Sequence, residues 1–76
     1  MINLKIKLNS ISDVQNFVTA VSRFNGDIDL KSDRYVVNAK SIMGIFSLDL
    51  MQPVDMTVYA DSADELIKDI KDFIIE

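Results

Sequence analysis

Apolar residues in this chain recur in two alternating periods, and no stretch between them is long enough to be a linker. Ile2, Leu4, Ile6 and Leu8 alternate with Asn3, Lys5 and Lys7, the period of a strand buried on one face. Val14, Phe17, Val18, Val21 and Phe24 then recur at helical spacing. Ser12 with Gln15 predicts a capping box at the start of that helix, after a polar break over residues 9–13. Asn25-Gly26 predicts its end, with Gly26 in the left-handed conformation. Ile28 and Leu30 alternate with charged residues, and Tyr35-Val36-Val37-Asn38 follows a short polar turn over residues 32–34, which predicts an antiparallel hairpin. Ser41 opens a short second helix that runs no further than about Leu50, and residues 49–53 read as a loop. Val54, Met56 and Val58 form a fourth strand. Ser62 with Glu65 predicts a second capping box, opening a last helix striped by Leu66, Ile67, Ile70, Phe73 and Ile74.

One-faced strands and one-faced helices must bury against each other. The order β-α-β-β-α-β-α therefore predicts a single α+β domain over residues 1–76, a four-stranded, mostly antiparallel sheet with three helices on one face.

Several kinds of chemistry are excluded by what the chain lacks. It has no cysteine and no histidine, so neither thiolate nor imidazole chemistry is available, and a zinc site would have carboxylates alone. Only two glycines occur, too few for a phosphate-cradling loop. Carboxylates gather at Asp27 and Asp29, and at Asp61, Asp64 and Glu65, but a strand face and a helix start account for them as solvated charge. No enzyme, metal or cofactor is expected. The net charge of −4, with its basic residues scattered, argues against a nucleic-acid surface. The alternating N-terminus is no signal peptide and no apolar run is of membrane-spanning length, which leads to the expectation of a cytoplasmic protein.

One stretch stands apart. Ser41 precedes a helix, beside the cation of Lys40, where a phosphate would meet free backbone N–H groups and the positive end of the helix dipole. A plain helix cap is the other reading of that serine. Ile45 and Leu48 share the core-facing stripe, whereas Ile42, Met43 and Phe46 are more apolar surface than one short helix needs to bury. Met and Phe exposed together suit a docking surface.

Lys40-Ser41-Ile42-Met43-Gly44-Ile45-Phe46-Ser47-Leu48 resembles the regulatory-serine segment of the HPr family, the small phosphocarriers of the bacterial sugar phosphotransferase system. The likeness extends without gaps from about residue 6 to residue 65. It implies the HPr fold, an open-faced β-sandwich. It also implies phosphorylation of Ser41 by an HPr kinase/phosphorylase, and a protein-binding patch at Lys40, Ile42, Met43 and Phe46. At the carrier site the resemblance fails. Where the family has His-Ala-Arg-Pro, this chain has Ser10-Ile11-Ser12-Asp13, so Ser10 replaces the histidine and Ser12 the phosphate-steadying arginine. A serine hydroxyl lacks imidazole's nucleophilicity near neutral pH, and Asp13 would repel an incoming phosphate. The resemblance thus points to the histidine-lacking, Crh-like members, with catabolite repression through a transcriptional regulator as the output. Ser12 also lacks the charge with which the family's arginine assists repressor binding. The alternative is a non-phosphorylated protein-binding or structural module on the same fold.

Overall fold

A computed structural model describes residues 1–75. Strand β1 (Ile2–Ile6) leads into helix α1 (Ile11–Ser22), followed by β2 (Ile28–Ser32), β3 (Tyr35–Asn38), α2 (Ile42–Phe46), β4 (Val54–Val58) and α3 (Asp64–Ile70). The strands form one sheet in the order β1-β4-β2-β3, with every neighbouring pair antiparallel. Ile6, Ile28, Leu30, Val54, Met56 and Val58 are fully or almost fully buried beneath the helices. Helix α1 adds Val14, Phe17 and Val21, α2 adds Ile45, and α3 adds Leu66 and Ile70. Each of these follows from the period read in the sequence. The expected α+β sheet with three covering helices is the architecture observed. Among the described residues no helix is long and apolar enough to cross a membrane.

The β2–β3 hairpin closes through Asp33 and Arg34. Asp33 takes φ 55°, which Asp tolerates and a two-residue hairpin turn requires at its first position.

Five local expectations are corrected. Helix α1 begins at Ile11, so its cap is Ser10 and not Ser12. Ser10 Oγ accepts from the Asp13 N–H at 3.1 Å, and the Asp13 carboxylate accepts from the Asn9 N–H at 2.9 Å. A carboxylate at the third helical position satisfies an orphan donor with a full charge, which the neutral amide of Gln15 could not supply to a later start. Helix α1 also ends early, at Ser22, with the Arg23 N–H donating to the Ala20 carbonyl at 3.2 Å and the Phe24 N–H to the Val21 carbonyl at 3.1 Å. Gly26 does not take positive φ. A Cβ there would lie 2.7 Å from the half-buried Phe24 ring, so a larger residue would require that ring to shift.

Helix α3 starts after Ala63, without a side-chain cap, so the expected Ser62–Glu65 box is not formed. Ala63 is buried and its carbonyl accepts from the Ile67 N–H at 2.9 Å. Asp64 and Glu65 meet the helix dipole in the first turn instead. Finally, Ile74 leaves the helical stripe. A 3₁₀ turn over Lys71–Phe73 ends the helix, and Ile74 pairs antiparallel with Ile6 along the outer edge of β1. Hydrogen bonds from Lys7 N–H to the Phe73 carbonyl (2.9 Å) and from Ile75 N–H to the Lys5 carbonyl (2.8 Å) hold it there.

The uncovered face of the sheet is polar. Asp29, one of the carboxylates noted above, accepts a hydrogen bond from the Tyr59 hydroxyl at 3.0 Å. That bond, the Asp29 charge, slight desolvation and the more distant Asp27 all raise the Tyr59 pKa above its ordinary 10.0. The folded state therefore holds this proton more tightly than the unfolded chain does. The contribution to stability is complete below the ordinary tyrosine value and is lost as pH rises through the folded one. Titrating phenolate absorbance should show Tyr59 ionising earlier in Asp29→Asn than in the parent. Superimposable curves would exclude the contact.

Candidate functional site

Ser41 sits where β3 gives way to α2, and the turn that presents it is built from three local devices. The Asn38 side-chain carbonyl accepts from the Lys40 N–H at 2.8 Å, folding the chain back. Ala39 is fully buried, and its N–H donates to the Ile28 carbonyl at 2.9 Å, fixing the turn to β2. The Ser41 N–H then donates to the Asn38 carbonyl at 3.0 Å. Ser41 itself is exposed, with extended backbone (φ −100°, ψ 103°), and caps α2 by accepting from the Gly44 N–H at 3.2 Å. Asn38 and Ala39 were not singled out from the sequence as site-forming. An Asn two residues before a lysine and serine is a legible Asx-turn signal, whereas the anchoring of Ala39 is visible only in three dimensions.

Gly44 is part of the same arrangement. A Cβ at this position would stand 3.2 Å from both Ser41 Oγ and Val37 Cβ. The missing side chain lets the first turn of α2 close onto the Ser41 hydroxyl. Helix α2 is shorter than the expected limit at Leu50, ending at Phe46, with Ser47 Oγ donating to the Gly44 carbonyl at 2.6 Å.

Lys40 is exposed, and its ammonium donates to the Phe24 carbonyl at 2.8 Å, near the end of α1. It thus ties the Ser41 turn to α1. Ile45 and Leu48 are buried, as their spacing requires. Met43 is 78% exposed and Phe46 43%, so the two form an apolar surface beside Ser41. Ile42 is half-buried and packs against the core, which places it at the margin of that surface.

Ser10 and Ser12 lie apart from this turn, at the start of α1. Ser10 is exposed as the cap and Ser12 is exposed in the first turn. The Asp13 carboxylate already engages a backbone N–H there. Ile11, which the sequence placed in a polar break, is instead a 66% exposed apolar residue.

Residues 13–76 match the family described as the PTS HPr component phosphorylation site. The chain belongs to the HPr family. Two solved HPr structures share its fold. HPr-C-His from Thermoanaerobacter tengcongensis is 33% identical with a TM-score of 0.78, over 95% of this chain and 89% of that one. A phosphocarrier protein HPr from Bacillus anthracis str. Ames is 26% identical with a TM-score of 0.73, over 96% of this chain and 95% of that one. HPr proteins are phosphocarriers of the phosphotransferase system that work through contacts with its other proteins. This member contains no histidine. Its HPr fold presents a hydroxyl and a carboxylate at the start of α1, and a hydroxyl beside an apolar face at the start of α2.

Proposed function

We propose that this HPr-family protein is regulatory. Ser41 Oγ attacks the γ-phosphorus of ATP in the site of an HPr kinase/phosphorylase. The bond to ADP breaks, and the hydroxyl proton passes to a base of the kinase. The face carrying Met43 and Phe46, with Lys40 and Ile42 at its margin, binds a protein partner in carbon catabolite control, a transcriptional regulator being the output.

What carries this reading is the position of Ser41, exposed at a helix start next to exposed Met43 and Phe46. A phosphoryl group there adds about −1.5 to −2 charge and three strong acceptors where α2 offers free N–H groups, so it alters both helix order and the docking face. Phosphoryl carriage through the family's usual imidazole has no residue to support it, since Ser10 stands at that position. A phosphoserine ester is also a poor donor for onward transfer.

The alternative, a non-phosphorylated binding module, is favoured by one observation. Ser41 Oγ already caps α2 through Gly44, and this accounts for a serine without any kinase. Intact-mass measurement after incubation with an HPr kinase and ATP separates the two. One added phosphate in the parent and none in Ser41→Ala is the expected result. Losing the cap costs about 1 kcal/mol, so circular dichroism should show the variant folded. No addition, with a control HPr phosphorylated in the same tube, leaves the binding module as the function.

A further inference from the structure

Two serines of this chain are built into similar local devices. Ser10 and Ser41 are both exposed and extended (φ −150°, ψ 167° and φ −100°, ψ 103°), and each caps a helix with its hydroxyl oxygen. That oxygen accepts from the N–H three residues on, Asp13 at 3.1 Å and Gly44 at 3.2 Å. The N–H of the residue before each serine is also held by a side chain, and here the two sites differ. The Asn9 N–H is bound at 2.9 Å by the Asp13 carboxylate, from inside the helix. The Lys40 N–H is bound at 2.8 Å by the neutral side-chain carbonyl of Asn38, from the strand before the turn. The first turn of α1 thus carries a negative charge, and the first turn of α2 carries none. A nucleoside triphosphate is repelled at the first serine and meets no such charge in the first turn at the second.

We propose that Asn38 is a positioning residue for the phosphorylation of Ser41, fixing the turn before the hydroxyl with an uncharged acceptor. The inference rests on the regulatory reading and adds a residue that acts on the reaction through the backbone. Having accepted from the Gly44 N–H, Ser41 Oγ keeps a second lone pair and its proton for the transfer. The cap fixes the side chain, and Asn38 fixes the backbone that carries it. Its side chain holds the Lys40 N–H and its carbonyl holds the Ser41 N–H at 3.0 Å, while Ala39 is tied to the Ile28 carbonyl at 2.9 Å. Phosphoryl transfer requires the attacking oxygen roughly 3–3.5 Å from phosphorus and aligned with the bond that breaks, so a loosened turn spends less time in a reactive pose. Met43 and Phe46 lie beyond Ser41 on α2, and Asn38 lies before it on β3. Loss of the Asn38 bond therefore acts on the chemical step more than on docking.

The test measures HPr kinase rates on the full chain as parent, Asn38→Ala and Asn38→Ser. Serine keeps an uncharged side-chain oxygen that makes the same kind of turn more weakly. The expected result is a kcat about ten-fold lower in Asn38→Ala at a KM within about two-fold of the parent, with Asn38→Ser between the two. Exchange of the Lys40 amide hydrogen should quicken in the same order, since that N–H is the one Asn38 holds. A variant that had only lost part of its folded population would present less substrate, raising the apparent KM at unchanged kcat. That pattern overturns the proposal, as do equal losses in both variants. Phosphorylation of the parent, read by mass, separates the two layers of the argument. A phosphorylated parent with Asn38→Ala reacting equally fast overturns the role of Asn38 alone, whereas an unmodified parent overturns the regulatory reading and this proposal with it.

Discussion

Phe17→Ala should cost about 3–5 kcal/mol, the range for truncating a buried aromatic ring. A chain of this length is stable by roughly 4–11 kcal/mol, so the variant should sit near or beyond the edge of folding. Phe17 is fully buried, and its ring meets Phe73 edge to face at a centroid distance of 6.1 Å. Phe73 in turn supplies the carbonyl that accepts from the Lys7 N–H. Removing the Phe17 ring therefore opens a cavity and loosens the segment that closes the outer edge of β1. Urea denaturation should show a midpoint reduced by about half with an unchanged slope. A loss under about 1 kcal/mol would mean that the neighbours collapse into the space.

Gly44→Val should cost about 2 kcal/mol and disorder α2. Even a bare Cβ would be crowded by Ser41 Oγ and Val37 Cβ, and valine adds two methyl groups with little rotamer freedom to avoid them. Gly44→Ala should be nearly neutral, since the helix-propensity gain of about 1 kcal/mol offsets its smaller clash. Amide hydrogen exchange through residues 42–48 distinguishes the two, with protection lost in the valine variant and kept in the alanine variant. Equal stability of both would show that β3 yields to the intruding side chain.

Which features were legible in the sequence follows from how local their causes are. The two-residue alternation of Val54, Met56 and Val58 and the helical spacing of Val14, Phe17 and Val21 record burial directly, and with the turn residues they yielded the element order. Ser41, Met43 and Phe46 were legible because a cap and an excess of apolar residues lie within one short segment. The start of α1 was misread because Ser-x-x-Gln and Ser-x-x-Asp overlap there, and the stronger, charged acceptor decided between them. The end of α1 depended on a residue far along the chain, since the Phe24 carbonyl is satisfied by Lys40. The juxtaposition of Ile11, Phe46 and Met51 around one depression was hidden for the same reason. Ile11 and Met51 are remote in sequence and come together only once α1 and the loop after α2 are packed.

The pairing of β1 has a consequence for how the chain acquires its structure. Its neighbours in the sheet are β4 on one side and the segment around Ile74 on the other. Neither is close in sequence, so the first strand has no local partner, unlike the β2–β3 hairpin. A chain emerging from the ribosome can form that hairpin and α1 early, but must hold Ile2, Leu4 and Ile6 unpaired until the last third is available. Contacts of such long sequence separation are slow to close, and an apolar strand left waiting is exposed to capture by other chains. The alternating Lys5 and Lys7 put charge on that waiting strand, which makes strand-to-strand pairing with another copy less favourable during the interval.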